Sequence, residues 1–221
     1  KIEAEKLELS SQSFNFLQMI DDIYQQTSNQ AQAKNLNCIL ELNYPLPQFL
    51  QTDELRFRQV LLNLTSNALK FTRNGEVRIE VERLDRARQI EFRVSDTGIG
   101  IREEDCERIF EDFVTLDASY SRSNSGTGLG LGIARRWVRA MGGEMGVESE
   151  LGEGSLFWVR LPMDRPAARP DFALELPRPA PEALGKPDRR LSVLVVEDSP
   201  VNRIVVREML ELDGHSVMEA N

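Results

Sequence analysis

The sequence predicts an α/β fold, because helical and strand patterns alternate along most of its 221 residues. Residues 54–71 repeat apolar side chains at helical spacing, and residues 76–83 and 89–95 alternate apolar with polar side chains, as half-buried antiparallel strands do. Residues 164–190 contain six prolines and follow neither pattern, so they predict an extended linker. A fully apolar strand at residues 193–196, of the kind buried in a parallel sheet, then begins a second unit.

The other elements follow from the same periodicities and from local breakers. Thr52 or Asp53 is expected to cap the helix that begins at residue 54. The apolar face of this helix is expected to contain Leu55, Val60, Leu61, Leu64 and Leu69. Further helices are predicted over residues 12–33, 103–110 and 200–212, with another that ends at Gly142. Further strands are predicted over residues 38–43, 144–149 and 155–161, with one more that begins near Ser216.

Composition restricts the classes of protein that the sequence can represent. The apolar fraction of 41% is enough for a hydrophobic core, and the formal charge of -9 argues against nucleic acid or an anionic membrane as the main partner. No apolar run approaches the roughly 18 residues of a membrane span, and no signal-peptide pattern begins the sequence. The two cysteines, Cys38 and Cys106, do not have the spacing of metal ligands, so reduced thiols are expected. The single histidine, His215, excludes a histidine-rich metal site.

The most distinctive stretch runs from Ser125 to Gly132, where glycine alternates with other residues ahead of an amphipathic helix. Glycine lets a ligand approach the main chain closely, and a helix N-terminus offers free N–H groups with a partial positive charge. The stretch therefore predicts an anion site, most often for phosphate, although a flexible loop before an ordinary helix is the alternative. It lacks the Lys-Ser/Thr of a Walker motif, and the polar residues 115–125 before it are not a Rossmann strand.

Two further patterns point to a polar ligand. Asn63 and Asn67 are four residues apart and therefore share one face of the predicted helix, where buried amides are costly without partners. Together with Lys70 they suggest a polar ligand or a metal, whereas one such asparagine alone could merely cap a neighbouring loop. Asp96 stands at a strand end before two glycines, a position that an ordinary turn former also occupies.

Taken together, the motifs resemble those of the ATP-binding catalytic domain of bacterial sensor histidine kinases, over residues 1–163. The motifs are an N box at residues 58–72, a G1 box at 96–100, an F box at 110–113, a G2 box at 126–132 and a last glycine turn at 152–155. Each motif alone is weak, whereas five in this order are specific. Residues 191–221 resemble the first strand, helix and second strand of a response-regulator receiver, and that combination implies a hybrid histidine kinase.

The resemblance implies that these motifs bind ATP with Mg²⁺. Asp96 would accept a hydrogen bond from the adenine amine, and Gly98 and Gly100 would let the backbone lie close to the base. Asn67 would bind Mg²⁺ through its amide oxygen, and Asn63 would support that site through water. The phosphates would be held by Lys70, Arg122, Gly126, Thr127, Gly128, Leu129, Gly130 and Leu131.

Several features depart from the family pattern. Residues 111–125 would form the lid over the nucleotide, but its residues 121–125 read Ser-Arg-Ser-Asn-Ser, where related kinases usually show a second basic residue, an aromatic and a glycine. Arg122 is the lid's candidate γ-phosphate contact, although a lone loop arginine is more often solvated. Gly132 stands where the family usually has alanine, at a cost of about 1 kcal/mol in helix propensity. Glu197 and Asp198 would be an incomplete receiver Mg²⁺ pair, or simply a solvated strand end.

The fold that the resemblance implies is a two-layer α/β sandwich of the Bergerat ATPase type, with one mixed sheet and its helices on one face. A linker and the first βαβ part of a flavodoxin-like receiver would follow. The expected domains are the end of a dimerisation and phosphotransfer helix region at residues 1–10, the catalytic domain at 11–163, the linker at 164–190 and a receiver fragment at 191–221.

The resemblance also implies partners and a location. The partners would be a histidine-bearing dimerisation domain, in a homodimer, and a receiver or histidine phosphotransfer protein of a phosphorelay. No nucleic acid and no membrane contact is expected for this part, which would be the cytoplasmic portion of an inner-membrane sensor. The phospho-accepting histidine is not expected within these residues, so no catalytic residue is assigned and self-labelling is not expected.

Two other functions remain open at this stage. A sister ATPase of the same fold would place a glutamate base one turn before the Mg²⁺ asparagine, but Asn63 stands there and cannot take a proton from water. A non-catalytic module that regulates a partner kinase through its surface is the second alternative, and the altered lid keeps it open.

Overall fold

The structure is a computed structural model that describes residues 9–114, 128–163, 190–196, 200–212 and 214–220. The chain divides into two units, of which the first ends at Arg165 and the second begins at Pro166. The helices of the first unit are α1 (Phe16–Ala33), α2 (Glu54–Phe71) and α3 (Gly130–Ala140). Its strands are β1 (Gln12–Asn15), β2 (Asn37–Asn43), β3 (Phe49–Thr52), β4 (Glu76–Leu84), β5 (Gln89–Asp96), β6 (Glu144–Glu150) and β7 (Gly154–Pro162). The second unit contains β8 (Ser192–Val196), α4 (Pro200–Leu212) and β9 (Ser216–Ala220).

Five strands of the first unit form one mixed sheet in the order β2-β4-β5-β7-β6. Strand β2 is parallel to β4, and the other neighbours are antiparallel. Alternate side chains of the central strands are fully buried, including Val77, Ile79, Val81, Ile90, Phe92 and Val94. Ile79 lies opposite Val94 and Val81 lies opposite Phe92, so these alternate residues of β4 and β5 share the face on which α1, α2 and α3 pack. The predicted α/β fold, with a mixed sheet and helices on one face, is confirmed.

The other face of the sheet carries charged side chains, one of which is buried. Glu91 has no exposed surface, because the guanidinium groups of Arg93 and Arg160 pair with its carboxylate. Arg160 in turn stacks on Trp158, with 4.4 Å from its Cζ to the ring centroid. This network joins the two central strands β5 and β7 on the face that the helices leave open.

Two predictions within the helical segments are wrong. Residues 12–15 form strand β1 rather than the start of a helix, since Phe14 pairs with Leu50 of β3 and both side chains are buried. Helix α1 begins only after Asn15, whose side chain accepts a hydrogen bond from the Gln18 N–H. Leu55 is 66% exposed rather than part of the core, because it lies in the first turn of α2 on the side away from the buried stripe.

The start of α2 follows the second of the two predicted caps. Asp53 is the cap, since its Oδ1 accepts a hydrogen bond from the Arg56 N–H at 3.0 Å. The predicted helix over residues 103–110 is instead two short 3-10 helices, Glu103–Asp105 and Arg108–Phe110. The strands of the main sheet begin and end within one residue of their predicted bounds.

The second unit has the predicted strand–helix–strand order. Strand β8 pairs in parallel with β9, and α4 connects them. Val195 is buried, whereas Leu194, Val196 and Met218 are exposed. Among the residues that the structure describes, no helix combines the length and apolar character required to cross a membrane.

Candidate functional site

Asp96 lies at the end of β5, where β4 and β7 hold the strand from both sides. Its side chain is 9% exposed, and its Oδ1 accepts a hydrogen bond from the Gly98 N–H at 2.8 Å. Burial raises the pKa of Asp96 to about 6, while hydrogen bonds from the main chain of Gly98 and Ser155 act in the opposite direction. A fixed and largely desolvated carboxylate of this kind is a specific acceptor for a donor group on a ligand.

The two glycines after Asp96 allow unusually close packing of main chains. A Cβ on Gly98 would lie 2.6 Å from the carbonyl oxygen of Phe71, the last residue of α2. Gly100 has a φ of +67°, and the carbonyl of Glu150 lies directly against it. Both glycines are therefore required for the turn to fit between α2 and the β6–β7 connection. Their predicted approach to the base remains a prediction.

Helix α2 connects this turn to the glycine-rich stretch. At one end, Phe71 meets Gly98; toward its middle, the Oδ1 of Asn63 lies 2.7 Å from the position of a Cβ on Gly130. Eight residues separate Asn63 from Phe71, which corresponds to about 12 Å along a helix. Asn67 lies one turn after Asn63 on the same side of α2. Asn63 thus lies at the glycine-rich half of the candidate site, and Asn67 lies between Asn63 and Phe71 along the helix.

The side-chain amide of Asn63 contains a buried donor. Its Nδ2 atom has no hydrogen-bond partner among the residues that the structure describes. Leaving such a donor unsatisfied costs free energy, so an acceptor such as a phosphate oxygen would be stabilised there. This donor fits a nucleotide phosphate, which extends the predicted water-mediated role of Asn63.

A resident metal site built only from side chains is absent from the described part of the chain. No group of three or more His, Cys, Asp or Glu residues lies together there. Mg²⁺ is often bound by one or two protein oxygens together with substrate phosphates and water. The amide oxygen of Asn67 would supply such a ligand, so the donor set fits Mg²⁺ that arrives with a nucleotide.

The phosphate turn, Gly128–Leu131, leads into helix α3. Leu129 occupies the N-cap position, and its side chain has no oxygen to accept hydrogen bonds from the first N–H groups. No acidic residue lies in the first turn of α3. Free N–H groups and the positive end of the helix dipole therefore face any anion bound at this end.

Phe71 is a candidate site residue that sequence reasoning missed. Its side chain is 43% exposed although it lies within the N-box motif, and the Lys70 ammonium lies 5.0 Å from its ring centroid. Its main chain lies against Gly98, so its exposed ring is a flat apolar surface at the end of α2 that meets the Asp96 turn. The available signal was its position: an aromatic in the last turn of an amphipathic helix, immediately after Lys70.

A cavity of about 370 Å³ opens between the three helices at the phosphate end. It is lined by polar side chains of α1, by polar and apolar side chains of α2, and by Ile133 and Trp137 of α3, and it includes Asn63 and Gly130. Arg56 stacks on Trp137, with 4.3 Å from its Cζ to the ring centroid. Periodicity alone could not predict this cavity, because it depends on how the three helices pack.

Some predicted residues cannot be placed. Arg122, Gly126 and Thr127 lie outside the described residues, as do Glu197 and Asp198 of the second unit. Most of the predicted lid, residues 111–125, also lies outside them. Asp96, Gly98 and Lys70 are placed at one end of the site, and Asn63, Gly128, Leu129, Gly130 and Leu131 are placed at the other.

Known proteins are similar to this chain in both sequence and fold. The sensor protein ArcB of Escherichia coli K12 is 38% identical over 98% of this chain and 27% of its own length. The sensor histidine kinase GacS of Pseudomonas protegens is 40% identical over 100% of this chain and 23% of its own length. The crystal structure of full-length ShkA in complex with AMPPNP matches with a TM-score of 0.66 at 31% identity, over 97% of this chain and 41% of that chain. The chain spans about a quarter of the length of these curated relatives.

A family model gives the assignment directly. The model described as "Histidine kinase-, DNA gyrase B-, and HSP90-like ATPase" matches residues 52–165, which is more than half of the chain. The match contains α2, the turn after Asp96 and the phosphate turn. The chain therefore belongs to the histidine kinase-, DNA gyrase B- and HSP90-like ATPases, and it carries the ATPase catalytic domain of the type found in hybrid sensor histidine kinases.

Proposed function

We propose that this chain binds Mg-ATP and transfers the γ-phosphoryl group to a histidine on a dimerisation domain. The observation that supports this most directly is the arrangement along α2. A buried acceptor, Asp96, lies near the Phe71 end of the helix. The orphaned donor of Asn63 lies beside the start of α3, about 12 Å from Phe71 along the helix axis. A base at one end and phosphates at the other would match this arrangement.

Each residue would contribute to positioning or to charge neutralisation, which phosphoryl transfer chiefly requires. Asp96 would orient the base, and the exposed ring of Phe71 would pack beside it. The N–H groups of the phosphate turn and the Nδ2 of Asn63 would hold phosphate oxygens. Lys70 would supply a mobile positive charge. Asn67 would hold Mg²⁺, which when bound neutralises phosphate charge.

The kinase assignment is favoured over a self-contained ATPase by the absence of a base on α2. The carboxylate of this helix is Glu54, in the first turn, about 13 Å along the axis from Asn63. Asn63 itself cannot accept a proton from water. Water activation near the γ-phosphate therefore lacks a base from this helix, whereas a histidine acceptor would bring its own nucleophile.

The test supplies the acceptor separately. The chain is incubated with γ-labelled ATP, Mg²⁺ and a purified dimerisation domain that carries its phospho-accepting histidine. Label should appear on the acceptor and not on the chain, and ATP hydrolysis by the chain alone should be slow. Fast hydrolysis without an acceptor would favour the ATPase, and nucleotide binding without either reaction would favour a non-catalytic regulatory module.

We further propose that residues 191–221 are the beginning of a receiver domain, with Glu197 and Asp198 as its acidic pair. The strand–helix–strand order of β8, α4 and β9 and the parallel pairing of the two strands support this. The proposed partners follow: a histidine-bearing dimerisation domain in a homodimer, and a receiver or phosphotransfer protein. The proposed location is the cytoplasmic side of a membrane-bound sensor.

A further inference from the structure

Helix α3 presents one face to the F-box segment, residues 107–113. Gly132, Arg135 and Arg136 are spaced i, i+3 and i+4, so they lie on the same side of the helix. All three contact the segment, Gly132 through its main chain and the two arginines through their side chains. The segment is thereby held along the first two turns of α3, directly beside the phosphate turn.

Gly132 provides the contact surface. A Cβ at this position would lie 2.8 Å from the Oδ1 of Asp112 and 2.9 Å from the carbonyl oxygen of Phe110. The absence of a side chain lets the F-box main chain lie directly on the helix. This explains the glycine at a position where related kinases usually have alanine.

Arg135 holds the middle of the segment. Its Cζ lies 4.5 Å from the ring centroid of Phe110, which is itself buried, and its Nη1 lies 2.9 Å from Glu107 Oε2. Glu107 is 82% exposed, whereas Arg135 is only 21% exposed. The stack on Phe110 is therefore the stronger of the two contacts, since exposed ion pairs contribute little.

Arg136 holds the end of the segment. Its Nη1 lies 2.8 Å from Asp112 Oδ2, one residue before Phe113. The Phe113 N–H then donates a hydrogen bond to the Gly128 carbonyl at 3.1 Å. A Cβ on Gly128 would lie 2.9 Å from the main chain of Phe113, so the two segments are in direct contact. Any shift of Asp112 would be transmitted through this hydrogen bond to the phosphate turn.

We propose that Arg135 and Arg136 are positioning residues for nucleotide binding, which hold the F-box segment on α3 and thereby fix the main-chain conformation of the phosphate turn. The proposal rests on the proposed function, in which this turn binds phosphates. Neither arginine needs to touch the nucleotide. Their effect passes through Phe110, Asp112 and the hydrogen bond from Phe113 to Gly128.

The test reverses the charge of Arg136 and of Asp112 one at a time and then exchanges the two charges in a double variant. Binding of Mg-AMPPNP to the full chain is measured by calorimetry at low salt, since exposed pairs are screened at high salt. The variants are Arg136→Glu, Asp112→Arg and the double exchange. Arg83→Glu is the matched control, because Arg83 forms a similarly exposed pair with Asp85 at the other end of β4 from Asp96. Thermal unfolding of each variant is recorded in parallel.

The single reversals are expected to raise the Kd for Mg-AMPPNP by roughly three- to tenfold and the double exchange to restore it within about twofold. In the phosphotransfer assay the single variants should raise KM for ATP and leave kcat near that of the wild type. Arg83→Glu should change the melting temperature as much as the single variants do, but not the Kd.

A second pair of variants separates stacking from charge. Arg136→Lys should bind like the wild type, because a point charge still pairs with Asp112. Arg135→Lys should bind more weakly, because lysine lacks the planar group that stacks on Phe110.

Three results would overturn the proposal. The first is wild-type affinity for Mg-AMPPNP in both single reversals. The second is a double exchange whose loss of binding free energy equals the sum of the losses in the two single reversals. The third is equal affinities of Arg135→Lys and Arg136→Lys. Failure of the wild-type chain to bind Mg-AMPPNP would instead contradict the proposed function, and the proposal with it.

Discussion

The side-chain oxygen of Asn63 lies 2.7 Å from the position that a Cβ on Gly130 would occupy, so α2 and the first turn of α3 meet without space for a methyl group. Gly130→Ala should therefore push the Asn63 amide aside, although alanine would add about 1 kcal/mol of helix propensity. We expect the affinity for Mg-AMPPNP, measured by calorimetry, to fall at least about tenfold, the loss of one hydrogen bond to a charged group.

The control keeps the alanine at position 130 and removes the side-chain amide of Asn63 that it would strike. In the double variant Asn63→Ala with Gly130→Ala, the steric conflict is gone, so thermal stability should return to that of Asn63→Ala alone. Affinity should remain low, because the donor is missing. Wild-type affinity in Gly130→Ala would contradict the contact between the two helices.

Asp96→Ala should weaken ATP binding by roughly 5- to 150-fold, since it removes a buried acceptor worth about 1–3 kcal/mol. The change should also remove discrimination between ATP and inosine triphosphate, whose base carries an oxygen in place of the adenine amine. Titration calorimetry with both nucleotides measures this. Asp85→Ala, which removes an exposed carboxylate from the β4–β5 turn, should leave both affinities unchanged; retained selectivity in Asp96→Ala would contradict the assignment.

The pKa of Asp96 predicts a pH dependence of nucleotide binding. Burial raises its pKa to about 6, and the ionised form accepts a hydrogen bond from an amine more strongly than the protonated form, which has gained a donor and lost acceptor capacity. Wild-type affinity, taken relative to that of Asp96→Asn, should fall by up to about tenfold per pH unit below 6. The comparison with Asp96→Asn cancels the titration of the nucleotide phosphates. A constant ratio of the two affinities from pH 5 to pH 7 would refute this prediction.

The raised pKa of Asp96 also makes the stability of the fold depend on pH, in the direction opposite to that of nucleotide affinity. Between the ordinary pKa of 3.8 and the raised value of about 6, the folded chain binds more protons than the unfolded chain. The free energy of unfolding of the nucleotide-free wild type, relative to Asp96→Asn, should therefore decrease as the pH rises through this window. Denaturant titrations at pH 4, 5, 6 and 7 would measure the difference.

Glu91 should be important for stability but not for binding. Glu91→Ala leaves Arg93 and Arg160 without their buried partner and is expected to lower the free energy of unfolding by about 2–4 kcal/mol. Glu82→Ala is the matched control, because Glu82 pairs with the same Arg93 but is 27% exposed, and its loss should cost less than about 1 kcal/mol. Equal losses in the two variants, or weaker ATP binding in Glu91→Ala, would contradict this.

Strand β8 should exchange its amide protons quickly. Its apolar side chains Leu194 and Val196 are exposed, and a two-stranded sheet is marginally stable in water. Hydrogen exchange should show much weaker protection for residues 193–196 than for β5 of the same chain. Comparable protection of the two strands in a monomer would show that the second unit folds stably alone.

The elements that sequence predicted best have strong local signals. Helix α2 has an apolar stripe and the Asp53 cap, and β4 and β5 alternate apolar with polar residues over most of their lengths. Strand β1 was missed because four residues give too little periodicity, and its pairing with β3 joins residues far apart in sequence. The alternation over residues 89–95 assigns Glu91 to the polar face, but its burial there depends on Arg93 and Arg160, whose positions alternation does not predict.

The candidate site was predictable to a similar degree. Residue types and spacing identified Asp96, Asn63 and the phosphate turn, because each belongs to a short motif. The contacts between motifs were not predictable, such as Gly100 against the Glu150 carbonyl and Gly132 against the F-box segment. These contacts depend on the tertiary packing, which local patterns do not encode.

Because one continuous helix carries both Asn63 and Phe71, the spacing of the two halves of the site is fixed by helical geometry. Inserting a single residue between them would rotate Asn63 by about 100° and shift it by about 1.5 Å, and would turn the buried stripe of α2 away from the sheet at the same time. Indels in this segment would thus be eliminated by misfolding before any change in ligand preference could be selected. A nucleotide with a longer or shorter phosphate chain could be accommodated only by substitution or by changes outside α2, so the helix sets the distance between the two groups that contact the ligand.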